Sequence, residues 1–127
     1  MRLRTISLVM IIMATLLLFG CNTDSTETDT EQIQVTITLL DEVNDSTIAE
    51  DEITANKGEV LQDVLEENYE VEVQQGGFIT SIEGHAQNES ENIYWVFEVN
   101  EEMVNESASS YELQDEDHVV FKLMQFE

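Results

Sequence analysis

From residue 32 onward the apolar side chains of this sequence recur mostly with a period of two, and with helical spacing only once. The stretch "QIQVTITLL" alternates Ile33, Val35, Ile37 and Leu39 with Gln34, Thr36 and Thr38, the signature of a half-buried strand. The exception is "KGEVLQDVLEENY", where Val60, Leu61, Val64, Leu65 and Tyr69 share one side and Gln62, Asp63, Glu66 and Glu67 the other. A chain with one helix among many short strands must spend that helix on covering a sheet. The sequence therefore predicts an α+β fold, a β-grasp-like mixed sheet of about five to six strands with one helix packed across it. An all-β sandwich with a short helical crossover is the competing arrangement.

The remaining windows fill in the order. "DEVNDS" reads as a turn and "TIAEDEITA" as a weaker partner strand for the first. "VEVQQGG" is extended and ends in a Gly76-Gly77 turn that calls for positive φ. "FITSIEG" is the next strand and "HAQNESEN" a polar loop in which His85 is expected to be solvated. "IYWVFEVN" is the most strand-like window, with Trp95, Phe97 and Val99 on one face and Tyr94, Val96 and Glu98 on the other. "NEEMVNESASS" supplies a hairpin turn and a loop, a short "YEL" follows, and the final strand sets Val119, Phe121 and Leu123 on one side. Proline is absent from the chain, so edge strands must be protected by charge.

Residues 1–20, "MRLRTISLVMIIMATLLLFG", combine a basic start at Arg2 and Arg4 with an apolar run too short for a comfortable bilayer span. The run ends on Cys21, the only cysteine. This arrangement resembles a bacterial lipoprotein signal, with Phe19 departing from the small residue usual two places before the cysteine. An ordinary export signal with a chance cysteine is the alternative. Lipidation of Cys21 would anchor the chain to the membrane outside the cytoplasm without a spanning segment. Residues 22–31, "NTDSTETDTE", hold no apolar side chain and read as a disordered acidic tether. The three parts are thus a signal peptide (1–20), a lipidated cysteine with its tether (21–31) and a folded domain (32–127).

Without the leader, 28 acids face only Lys57 and Lys122, a formal charge of −26. That balance excludes nucleic-acid binding through a basic footprint. The acids are scattered, which fits a solvation role better than a calcium site, and no loop has the oxygen-ligand spacing of a calcium hand. His118, beside Asp115, Glu116 and Asp117, reads as part of a turn rather than a metal ligand. No nucleophile triad and no phosphate-binding glycine loop is present, so an enzyme is not expected and no cofactor is implied.

Four segments, "KGEVLQDVLEEN", "GGFITSIEG", "IYWVFEVN" and "SASSYELQDEDHVVFKL", in this order, resemble the transcobalamin-like C-terminal domain family. The resemblance covers residues 33–127. In the cobalamin carriers of that family this domain covers one face of a corrinoid, while a larger helical domain covers the other. The resemblance implies a ligand-binding module, with cobalamin or another corrinoid as the leading ligand. Trp95 and Phe97 on the aromatic strand and Tyr111 after the loop would be the ligand-binding residues. No segment resembles the helical domain, so a second binding protein or a transporter is expected to complete the site. A protein-interaction module of the cell envelope with no small ligand is the other reading. The residues themselves leave Trp95 two roles, a core anchor beneath the helix or a ring offered to a flat ligand.

Overall fold

A computed structural model describes residues 30–127, so the expected leader, Cys21 and nearly all of the tether lie outside the described residues. The elements are β1 (Gln32–Asp41), β2 (Ser46–Asn56), α1 (Leu61–Asn68), β3 (Val71–Gln74), β4 (Phe78–Ile82), β5 (His85–Ala86), a 3-10 turn (Glu89–Glu91), β6 (Ile93–Val99), β7 (Glu102–Met103) and β8 (His118–Gln125). Five strands form a mixed sheet in the order β2-β1-β8-β6-β7. β1 and β8 run parallel at its centre, from Thr36 opposite His118 to Asp41 opposite Leu123. The other pairs are antiparallel. This is the expected α+β, β-grasp-like arrangement.

One feature of the layering departs from a single sheet. β3, β4 and β5 form a separate three-stranded sheet instead of joining the main one. The reason is dimensional. An eight-residue helix is about 12 Å long, whereas five strands spaced by about 4.8 Å span roughly 19 Å. The helix covers part of the inner face with Leu61, Val64 and Leu65, and Ile79 and Ile82 of β4 join the same buried cluster. Against both pack Ile33, Val35, Ile37 and Leu39 of β1 and Val119 and Phe121 of β8. At the β2 edge only Ile53 and Ala55 are buried, and Glu50, Asp51 and Glu52 sit exposed along it, so charge guards that edge as expected.

The inward row of β1 does not end with Leu39. Asp41 is the next residue on it and is only 1% exposed. A carboxylate buried at the end of an apolar row needs several donors to offset its desolvation. It has them: the backbone N–H of Asn44 at 2.9 Å, the Asn44 side-chain amide at 2.8 Å and His85 Nδ1 at 2.8 Å. Burial alone would push the Asp41 carboxyl up, but the two Asn44 bonds and His85 outweigh it and hold it below the usual carboxylate value. The expected solvated His85 is thereby corrected. β5 pairs with β4 through Ile82 opposite His85, which draws the imidazole onto the buried acid.

Asp41→Ala should destabilise the fold by about 1–3 kcal/mol at neutral pH, because it removes the charged acceptor of three hydrogen bonds that tie the β1–β2 turn and β5 together. Since the folded value is the lowered one, the contribution is complete above the ordinary carboxylate range and is lost as pH falls through the folded value. Urea denaturation of both chains at several pH values should show the gap closing in acid. An equal gap at pH 2 and pH 7 would assign the effect to packing instead.

Candidate functional site

The face question raised by Trp95 has a two-part answer. Trp95, Phe97 and Val99 do share the inner face, and Phe97 and Val99 are buried. Trp95 is half-buried and packs against the core, with its indole Nε1 donating to the His85 carbonyl at 2.9 Å. The same ring also borders open space. Beyond the reach of α1, towards β7, the inner face opens into a cleft of about 240 Å³.

Trp95, Phe97 and Phe121 line the cleft on the sheet side. Phe97 and Phe121 stack with centroids 4.9 Å apart and planes 21° from parallel, which makes that side rigid and flat. Phe78 and Ile79 of the β3–β4 hairpin line another side, and Met103 to Ala108 line a third. At the rim Phe78 is 60% exposed and Met103 57% exposed. Large apolar side chains held out at the mouth of an apolar cleft are the usual mark of a binding surface. Small-molecule pockets typically hold about 300–1,000 Å³, so this cleft takes part of a ligand and leaves the rest outside.

The walls are positioned by backbone chemistry. The first amides of α1 have no intrahelical partner, and loop carbonyls accept them: Leu61 N–H bonds Tyr111 O at 2.8 Å and Gln62 N–H bonds Ala108 O at 3.0 Å. This pins the serine-rich loop over the helix start. The β3–β4 turn uses two left-handed glycines, Gly76 (φ 96°) and Gly77 (φ 79°), as the sequence predicts. The β6–β7 turn needs the same conformation but obtains it from Asn100 (φ 51°) and Glu101 (φ 70°). Asn100 suits that region and Glu101 does not, so the hairpin register must hold the turn.

Tyr111 does not line the cleft. Its ring meets Phe97 edge-on with centroids 6.1 Å apart. Its hydroxyl donates to Asp117 Oδ2 at 2.9 Å. Burial, the hydrogen bond to Asp117 and the charges of Asp117 and Glu106 push the phenol up to about 12. Asp117, 4% exposed, also accepts from Gln114 N–H at 2.9 Å and from the Asn100 side-chain amide at 3.0 Å. The acidic turn is thus a hub joining the tyrosine loop, the β6–β7 turn and the start of β8. Asp115 accepts the Gln34 N–H at 2.9 Å, and His118 Nε2 meets Thr38 Oγ1 at 3.1 Å. Phe78 and Met103 complete the site and escaped the sequence reading. Their only signal was an apolar residue placed directly beside a turn.

A family model, Domain of unknown function (DUF4430), matches residues 58–125, more than half of the chain. The chain belongs to this family. The DUF4430 match takes in α1, both cleft-lining hairpins and all of β8, and it begins after β1 and β2. None of the curated proteins matches. Among solved structures, haptocorrin in complex with Cbi superposes with a TM-score of 0.65 at 20% identity, covering 77% of this chain and 26% of haptocorrin. A putative metal binding protein from Ruminococcus gnavus superposes with a TM-score of 0.58 at 22% identity, covering 75% of this chain and 99% of that one. At such identities what is shared is the fold, and it is the one implied by the transcobalamin-like resemblance. The DUF4430 chain spans about a quarter of haptocorrin's length.

The cleft wall can be tested at Gly77. A Cβ there would lie 2.5 Å from Ser109 Oγ and 3.0 Å from Ser109 Cβ, on a backbone at positive φ. Gly77→Ala should cost about 1–3 kcal/mol of stability. Adding Ser109→Gly should recover the steric part and leave the backbone part, as read by a double-mutant cycle from thermal melts. Full recovery would show that φ strain contributes nothing.

Proposed function

We propose that this domain is a non-enzymatic ligand-binding module, held outside the cytoplasm by lipid on Cys21, that captures a flat, partly apolar small molecule at the Trp95–Phe97 cleft. The leading ligand is cobalamin or another corrinoid, passed on to a transporter in support of uptake. One observation carries the reading: the half-buried Trp95, backed by the buried Phe97–Phe121 stack, borders a cleft that opens between Phe78 and Met103, which are both held out to solvent. The haptocorrin structure, which shares the fold, was obtained in complex with Cbi, and this supports a corrinoid over other flat ligands. At about 240 Å³ the cleft covers only part of such a molecule, so a second protein would supply the opposite wall.

Trp95 is the sole tryptophan, so its fluorescence reports on the cleft directly. Titration of the full chain in nonionic detergent with Cbi and with cobalamin, corrected for corrin absorption, should give saturable quenching in the micromolar range. Phe78→Ala should weaken it by about 1–2 kcal/mol, roughly tenfold, through lost apolar contact. A strictly linear loss of signal, equal to that of a non-binding protein, would remove the corrinoid reading. The anchor is tested separately. Cys21→Ser should abolish incorporation of labelled palmitate into the chain, and unchanged labelling would sink it.

A further inference from the structure

The outer edge of β6 is paired at both ends and open in the middle. At one end Ile93 and Asn88 exchange two backbone hydrogen bonds, each 2.9 Å. At the other, β7 pairs with Glu98 and Val99, and Val104 N–H reaches Phe97 O at 3.4 Å. Beyond Val104 the chain leaves the edge and passes to the far side of the cleft, which residues 104–108 line. Alternate residues of a strand aim their N–H and C=O to the same side. Ile93 and Phe97 bond outward, so the N–H and C=O of Trp95 point outward as well. Among the described residues no strand pairs with β6 there.

We infer that this gap receives an extended peptide segment of a partner protein, with one apolar residue opposite Trp95 and basic residues on either side. A residue at that position exchanges two hydrogen bonds with Trp95 and drops its side chain on the inner face, into the cleft. Charge selects its neighbours. The exposed Glu89 and Glu91 stand at the Asn88 end of the gap and the exposed Glu106 at the other, and no lysine or arginine lines the cleft. Both lysines of the described residues are engaged elsewhere, Lys57 with Glu31 and Lys122 with Glu98. A second copy of this chain, or its own acidic tether, would bring negative charge to the gap, since the chain carries a formal −24. A basic–apolar–basic strand meets both the backbone and the charge. This goes beyond small-ligand capture and stands whether or not Cbi binds.

The test uses the ¹⁵N-labelled full chain in nonionic detergent and the probe acetyl-Lys-Val-Lys-amide, which fits the three positions opposite residues 94–96. At saturation the Trp95 backbone amide should shift, and its hydrogen exchange should slow at least tenfold. The same peptide with N-methylvaline keeps its charge but cannot donate to Trp95 O, and should bind at least tenfold more weakly. Glu106→Gln should lower affinity several-fold at low salt. Equal binding of the two peptides, or binding that leaves the Trp95 amide unmoved, would reduce the effect to non-directional charge attraction and overturn the inference. So would the absence of binding.

Discussion

Everything in this domain hangs on β1 lying parallel to β8. The contact is anchored at both ends by backbone bonds of 2.9 Å, from Thr36 N–H to Asp117 O and from Glu42 N–H to Leu123 O. Parallel neighbours cannot be joined by a tight turn. The connection is therefore free to hold the helix, the second sheet and both cleft walls, and closing so long a loop costs entropy that local contacts cannot repay. What repays it is burial: Ile37, Leu39 and Val119 are fully sealed and Phe121 nearly so. β2 and β6 then add to the two outer sides of this pair.

The cleft is a by-product of how the helix is terminated. α1 has no capping side chain at Val60, so its first amides take carbonyls from the loop at residues 108–111. That loop is thereby committed to the helix and cannot follow β6. The sheet and the loop separate, and the half-buried Trp95 ring is left at the opening above the buried Phe97–Phe121 stack. Asp117 fixes the separation by tying Tyr111, Asn100 and Gln114 to one carboxylate. Two buried acids, Asp41 and Asp117, thus brace opposite ends of the fold in a molecule whose other acids mostly face water.

Where burial alone decides structure, the sequence was readable. The inward rows of β1, β6 and β8 follow from alternation, α1 from its apolar stripe, and the Gly76-Gly77 turn from glycine's tolerance of positive φ. The second sheet was not readable, because "VEVQ" and "FITSI" show that they are strands but not which strands they join. His85 looked solvated because its partner is forty-four positions away at the end of a row that otherwise reads as apolar. The aromatic strand named Trp95 and Phe97, and both line the cleft. Tyr111 was assigned by likeness; it lies outside the cleft lining, and its hydroxyl donates to Asp117. Phe78 and Met103 were missed because a lone apolar residue beside a turn has no pattern to betray it.

The scarcity of basic residues has a consequence of its own. Arg2 and Arg4 lie outside the described residues, which contain no arginine and only Lys57 and Lys122. Lys122 lies within β8, where a protease cannot draw the backbone into its cleft without unravelling the sheet's centre. Lys57 sits in the turn after β2, with its side chain 64% exposed. For any trypsin-like enzyme the folded domain therefore offers a single reachable bond, Lys57–Gly58. Cutting there would separate the β1–β2 hairpin from the rest of the chain while leaving the cleft-lining residues on one fragment.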